Sequence, residues 1–199
     1  MPESAIMLIK KLEKVGEVTS PARVELKENV EVIHLSVGQG GHVLAIDRKA
    51  NCWSWGNNDC GQLALGASDS IVHMPCQITD LMGVPLKMTA CGKQHSLFLT
   101  KTGKVWSCGK NQFGQLGYDT EEKRHIDTKM QKSVLQINDL KDVTFIAAGE
   151  KHSLAVQQKE KNPLKLYSWG WNGYGQLGRT NENQSFTLNR PKKVETTGE

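Results

Sequence analysis

Long apolar runs and paired cysteines are missing from this chain. No apolar run approaches the ~18 residues that a membrane-spanning helix needs, and the longest candidate covers only residues 5–9. A basic segment followed by a long apolar stretch is also missing at the start, which argues against a secretory signal. The five cysteines are odd in number and contain no Cys-x-x-Cys pair. This usage favours a reduced, intracellular setting over a disulfide framework or a zinc site.

Proline and net charge are both low, whereas glycine is abundant. The chain has 6 prolines and a net charge of +4. This charge is compatible with acidic partners, but it is only a weak argument for contact with nucleic acid or chromatin. The 19 glycines among 199 residues indicate many turns.

A three-residue motif recurs three times and defines an internal repeat. Gly-Gln-Leu begins at Gly61, Gly114 and Gly175. Six residues before each lies the centre of a Ser-Trp-Gly motif or its variant, at Trp55, Cys108 and Trp169. Further upstream, each copy has a histidine that opens an apolar stretch, at His42, His95 and His152. The chain is therefore built from three related units.

The spacing of these motifs indicates the kind of repeat. The first two histidines precede the Trp or Cys by 13 residues, and the third by 17, so the third unit carries four extra residues. Successive Gly-Gln-Leu motifs are 53 and 61 residues apart. A period of about 50 residues is typical of propeller blades rather than of helical hairpins.

Local patterns within a unit predict short antiparallel strands. Alternating polar and apolar residues flank Gly103, which suits a hairpin turn. We predict an all-β propeller of four-stranded blades at about residues 21–66, 75–117 and 135–178, with a stub of a fourth blade at 190–199. In this interpretation the strand near Pro75 opens the second blade. Residues 1–19 form a separate segment, either a short helix or a closing strand.

The order of these motifs resembles the regulator of chromosome condensation repeat over about residues 21–178. The first unit departs from the pattern by one extra residue before His42 and by Ala64 after Gly-Gln-Leu, and the second by Cys108 in place of Trp. The family fold is a β-propeller, usually of seven blades. The resemblance therefore implies that the remaining blades come from a longer chain or another copy.

Residues that recur in every unit are interpreted as structural, because catalysis needs one specialised site rather than one per repeat. These structural repeat residues are His42, His95, His152, Trp55, Trp169, Gly61, Gly114 and Gly175. The sequence shows no phosphate loop, metal cluster or nucleophile–base set. We accordingly predict no enzyme activity, and no catalytic, cofactor-binding or metal-binding residue.

Turn residues that differ between units are the candidates for partner binding. In the founding member of the family, the face that carries the Gly-x-x-His turns engages the Ran GTPase. By resemblance, the candidates here are the turn residues and two residues after the third Ser-Trp-Gly, where an exposed Trp would suit an interface. They are Lys93, Gln94, Glu150, Lys151, Trp171 and Asn172.

The resemblance leaves three functions open. The first is a non-enzymatic module that presents blade loops to a protein partner. The second is a guanine-nucleotide exchange regulator of a Ran-like small GTPase near chromatin. That function uses a wedge inserted between Trp-Gly and Gly-Gln-Leu, where each unit here has the same short spacing. The third is a substrate-recognition or regulatory part of a ubiquitin ligase, because residues 81–88 leading into Gly92 and His95 resemble repeats attached to HECT-type ligases.

Overall fold

The computed structural model describes residues 23–24, 26, 30–66, 69–118, 129–159, 163–179 and 186–195. Over these ranges the chain forms β-strands and one short 3-10 helix at Thr79–Leu81. The prediction of a separate segment at residues 1–19 lies outside the described residues. No helix in the described ranges is long and apolar enough to cross a membrane.

The strands form three antiparallel sheets of four, each in chain order. The first blade contains β1 (Val32–Val37), β2 (His42–Asp47), β3 (Cys52–Asn57) and β4 (Ile71–Gln77). The second blade contains β5 (Leu86–Cys91), β6 (His95–Thr100), β7 (Val105–Lys110) and β8 (Met130–Gln136). The third blade contains β9 (Val143–Ala148), β10 (His152–Gln157), β11 (Lys165–Trp171) and β12 (Thr187–Lys193). The all-β, blade-type prediction is confirmed.

The blade boundaries differ from the units predicted from the sequence. The strand near Pro75 does not open the second blade, because Cys76 and Gln77 pair with Ser54 and Trp53 of the first. Likewise, the predicted stub at residues 190–199 supplies the end of β12, where Lys193 pairs with Tyr167. The shared Pro-containing segments therefore mark the outer edge strand of a blade rather than its beginning. Each edge strand pairs with the strand before it in the chain. The pairing of β12 with β11 completes the third sheet.

The apolar core lies between blades rather than within one sheet. Alternate residues of β2, including Leu44 and Ile46, pack with Leu86 and Phe98 of the second blade. The second interface is built in the same way, from the residues Leu97, Leu99, Ile146, Ala155 and Trp169. Because side chains alternate across a strand, each middle strand gives one face to each neighbouring blade.

Candidate functional site: the loop face

Two sets of turns lie at the same end of the three blades. The Gly-x-x-His turns join the first and second strands, and the Gly-Gln-Leu loops follow the third strand. Antiparallel pairing of His42 with Gly56, His95 with Gly109 and His152 with Gly170 brings both sets to one end. We call this end the loop face; it consists of residues 38–41, 92–94, 149–151, 57–61, 110–114 and 171–175.

Two of the three repeat histidines, His42 and His95, connect their own blade to the next one. The Nε2 atom of His42 lies 3.0 Å from Ser96 Oγ in the second blade, and His95 Nε2 lies 3.0 Å from Ser153 Oγ in the third. Ser96 Oγ donates to the Gln62 carbonyl at 2.7 Å, and Ser153 Oγ donates to the Gln115 carbonyl at 2.8 Å. Because each hydroxyl has one proton to donate, the serine accepts its other hydrogen bond from the imidazole N–H.

Burial keeps these imidazoles neutral. Desolvation lowers the pKa of His42 to about 4. Desolvation, with smaller contributions from His42 and His152, lowers the pKa of His95 to about 3. A general acid or base works best with a pKa near the operating pH, so this environment suits hydrogen bonding between blades rather than proton transfer. The pKa of the half-buried His152 is also lowered by burial.

The glycine of each turn packs directly on the imidazole. A Cβ on Gly92 would overlap the ring of His95, and one on Gly149 would overlap His152. In the first blade the same position is taken by Gly38 against His42, despite the extra residue in that turn. The backbone N–H of Gly38 also donates to the His42 carbonyl at 2.8 Å, as Gly92 does to His95. The longer turn therefore preserves the contact.

The Trp of Ser-Trp-Gly contacts the preceding blade. Trp169 Nε1 donates to the Gln115 carbonyl at 2.9 Å, beside the bond from Ser153. Cys108 takes the same place in the second blade, and its Sγ lies 3.5 Å from the Gln62 carbonyl. Trp55 is only half-buried, because no blade within the described residues covers that side of the first blade.

The Gly-Gln-Leu loops are held by buried polar groups. Gly61, Gly114 and Gly175 all adopt the left-handed backbone conformation, which glycine tolerates best. Asn172 Oδ1 accepts a bond of 3.0 Å from the backbone N–H of Leu177, and Asn172 Nδ2 donates to the Arg179 carbonyl. Asn172 is therefore buried inside its own loop and only 3% exposed, so little of its side chain is available to a partner.

The other five candidates lie on the loop face. Lys93 Nζ is 3.0 Å from Glu150 Oε1, and Lys151 Nζ is 3.5 Å from the same oxygen. Lys151 Nζ also lies 5.0 Å from the ring centroid of Trp171. Gln94 is close by, where its Oε1 accepts a bond of 3.1 Å from Lys110 Nζ. Trp171 is the last residue of β11, and it is half-buried.

Two aromatic residues complete this surface. Phe113 lies 6.2 Å from Trp171 between ring centroids, and Tyr174 meets Trp171 edge-on at 5.0 Å. The Lys151 ammonium is also 5.3 Å from the Phe113 ring. We call Phe113, Lys151, Trp171 and Tyr174 the aromatic–lysine patch. Tyr174 is 88% exposed, so the patch offers a large polar-tipped ring to solvent.

Family models match much of this region. Two models, both described as the regulator of chromosome condensation (RCC1) repeat, match residues 49–99 with 165–199 and residues 89–115. Together they cover slightly more than half of the chain. The chain belongs to the RCC1 repeat family. The family prediction from the motif order is thereby confirmed.

Curated relatives of these RCC1 repeats include ubiquitin ligases. The chain is 31% identical to the probable E3 ubiquitin-protein ligase HERC4 of Rattus norvegicus, over 87% of this chain and 15% of HERC4. It is 32% identical to the E3 ubiquitin-protein ligase HERC2 of Homo sapiens, over 87% of this chain and 3% of HERC2. The chain therefore spans a small part of these relatives.

A solved structure supports the RCC1 fold. Prp20p of Saccharomyces cerevisiae is similar with a TM-score of 0.73 and 24% identity, over 84% of this chain and 39% of that chain. At this identity the likeness shows the fold alone. It agrees with the three four-stranded sheets, which make up part of a propeller.

Sequence reasoning missed Phe113 and Tyr174. Both precede Gly-Gln-Leu by one residue, at the position that Cys60 takes in the first RCC1 unit. Two aromatics at one position of a repeat were a detectable signal. Their meeting with Trp171 and Lys151 was not detectable, because it depends on how two neighbouring blades pack.

Proposed function

We propose that these RCC1 blades form a protein-recognition module that binds its partner through the loop face. The observation that carries this proposal is the aromatic–lysine patch, with Tyr174 88% exposed and Trp171 half-buried beneath it. Large aromatic side chains with a polar tip supply much of the binding energy at protein interfaces. Loops on a rigid scaffold are the usual place for such contacts.

The charged neighbours would preorganise this surface. The backbone N–H of Lys93 donates to the Glu150 carbonyl at 3.2 Å, which links the turns of the second and third blades. The side chains of Lys93 and Lys151 then converge on the Glu150 carboxylate, whose pKa they lower. Exposed ion pairs add little stability. Their role in this proposal is to hold Lys151 over the rings and to set the polar rim of the interface.

A binding comparison tests this proposal. The immobilised full chain captures partners from cells of its source, and the affinity of each purified partner is then measured. We expect Trp171→Ser to weaken binding at least about tenfold, as for a hot-spot residue. Leu164→Ser is the matched control, because Leu164 is 59% exposed at the opposite end of the blades. A partner whose binding survives Trp171→Ser but is lost with Leu164→Ser would contradict binding through the loop face.

A second candidate is substrate recognition for a ubiquitin ligase. Identity of 31–32% to HERC4 and HERC2 over 87% of the chain favours it. In this case the captured partners are ubiquitylation substrates. Their ubiquitylation in cells should fall when Trp171→Ser replaces the native chain, and unchanged ubiquitylation of every captured partner would leave the simple binding role.

Prp20p provides the reason to test a third role. The crystal structure of Prp20p was described together with its binding to Gsp1p and histones. For the present chain, exchange on a Ran-like GTPase is the alternative that the uniform spacing of Trp-Gly and Gly-Gln-Leu disfavours.

A further inference from the structure

Two lysines on the loop face bind one carboxylate of the chain itself. Lys93 Nζ donates to Glu150 Oε1 at 3.0 Å, and Lys151 Nζ lies 3.5 Å from the same oxygen. We call Lys93 and Lys151 the lysine pair. We propose that the lysine pair binds a carboxylate of an acidic protein segment, and that Glu150 occupies this site until the partner replaces it. This inference rests on the proposed function, because it names the class of partner that the loop face binds.

The site that Glu150 occupies is open to a partner. Side-chain exposure is 45% for Lys93, 42% for Glu150 and 34% for Lys151, so solvent reaches all three groups. Ion pairs this exposed contribute little to stability, because water screens them and holding long side chains together costs entropy. Exchange of the Glu150 carboxylate for one from a partner therefore costs the fold little. The bond from the Lys93 N–H to the Glu150 carbonyl keeps the two turns together during the exchange.

The charge around the lysine pair favours an acidic partner. To the loop face, the second and third blades contribute Lys93, Lys110 and Lys151 against the single carboxylate of Glu150, a net charge of +2. The first blade adds only the charge of Asp59. The hydrogen bond from Lys93 is the largest cause of the lowered pKa of Glu150, and the same positive potential would keep a partner's carboxylate ionised. Opposite charges across an interface speed association and select the partner.

The aromatic–lysine patch adds a second requirement for the partner. The Lys151 ammonium beside Glu150 is also 5.0 Å from the Trp171 ring centroid and 5.3 Å from that of Phe113. One cation thus joins the carboxylate site to the rings. A partner segment would place its carboxylate at the lysine pair and an apolar or aromatic side chain against Trp171 and Tyr174. In an extended segment, these two partner residues would be within about three positions of each other.

Selection of peptides from a random display library on the immobilised full chain tests this inference. We expect the selected peptides to be rich in aspartate and glutamate, with an apolar or aromatic residue within about three positions of a carboxylate. The selected peptides are then synthesised, and their affinities are measured by fluorescence anisotropy. A selection that yields no peptide, or only neutral or basic peptides, would overturn the proposal.

Removing the carboxylate of Glu150 gives the deciding comparison. Because Glu150→Gln frees the lysine pair, we expect it to tighten binding of the selected peptides about threefold, the worth of an exposed ion pair. Lys93→Gln should weaken binding by a similar factor. Glu31→Gln is the matched control, because it makes the same change in net charge at an exposed carboxylate that pairs with Arg48, and it should leave the affinity unchanged. Unchanged or weaker binding by Glu150→Gln would overturn the proposal, as would an equal gain with Glu31→Gln.

Two further measurements separate the alternatives. If the selected peptides require Trp171 but Glu150→Gln and Lys93→Gln leave their affinity unchanged, the proposed function stands and this inference fails. If Trp171→Ser also leaves their affinity unchanged, both fail. A phosphate backbone needs many cationic contacts, and the loop face has three lysines and no arginine. A DNA oligonucleotide that displaces the selected peptides and gains affinity with Glu150→Gln would nevertheless assign the lysine pair to phosphate and overturn the choice of a protein segment.

Discussion

Removing the hydroxyl of Ser96 should break the link between the first and second blades. Ser96 is 0% exposed, and its Oγ accepts from His42 Nε2 at 3.0 Å while donating to the Gln62 carbonyl at 2.7 Å. Ser96→Ala therefore removes two hydrogen bonds without removing any apolar packing. It also leaves the His42 N–H without an acceptor in a region that water does not reach.

The size of the effect follows from what remains to satisfy each group. An orphaned buried donor or acceptor costs about 1–3 kcal/mol. The Gln62 carbonyl keeps only the weak thiol contact of Cys108 at 3.5 Å. Both His42 and Gln62 therefore lose the hydrogen bond that Ser96 supplied. We expect Ser96→Ala to lower the free energy of unfolding by about 2–4 kcal/mol. Ser153→Ala should cost about 1 kcal/mol less, because Trp169 Nε1 continues to bond the Gln115 carbonyl.

Urea denaturation of the full chain, followed by tryptophan fluorescence, measures both changes. Ser70→Ala is the matched control, because Ser70 is exposed and should change stability by less than about 0.5 kcal/mol. A double-mutant cycle with His42→Ala isolates the His42–Ser96 coupling. A Ser96→Ala variant as stable as the control, or a Ser153→Ala variant less stable than Ser96→Ala, would contradict this role of the Ser96 hydroxyl.

Three further outcomes are expected. The pKa values of His42 and His95 in the folded chain lie below 6.5, the ordinary value of the unfolded chain. As the pH falls, the unfolded chain therefore takes up these protons before the folded chain does. Stability should hold above about pH 6.5 and fall by about 1.4 kcal/mol per histidine per pH unit down to about pH 4; a flat urea midpoint from pH 7 to 5 would contradict this. Burial raises the pKa of Cys52 and Cys108, so a thiol reagent at pH 8 should label the half-exposed Cys76 well before them, as mass spectrometry of the fragments can establish. Stopped-flow release of a fluorescent GDP analogue from a Ran-like GTPase should be no faster with the full chain than without it, and a large acceleration would favour the exchange function.

Motif spacing was sufficient to predict the fold class and the family. The three copies of Gly-Gln-Leu and the preceding histidines specified turns and short strands through local chemistry alone, since left-handed turns select glycine and strands alternate their side chains. The outer edge strand was assigned to the wrong blade because local chemistry does not specify which strand it pairs with. The segment at Pro75 has the same local strand character whether it pairs with β3 or opens the next blade, and only backbone pairing distinguishes the two.

Contacts between blades were decided by the tertiary structure. In the sequence, His95 and Ser153 are two unrelated residues 58 positions apart, yet packing places their side chains 3.0 Å from each other. The aromatic–lysine patch also arises only when the second and third blades meet, since Phe113 lies in the loop after β7 of the second blade and Trp171 ends β11 of the third. The side chain of Asn172, in contrast, makes its hydrogen bonds within its own loop and not between blades. The sequence by itself determined the turns and strands, which depend on neighbours along the chain. The docking of one sheet on the next decided the rest, because it depends on surfaces that only the folded blades possess.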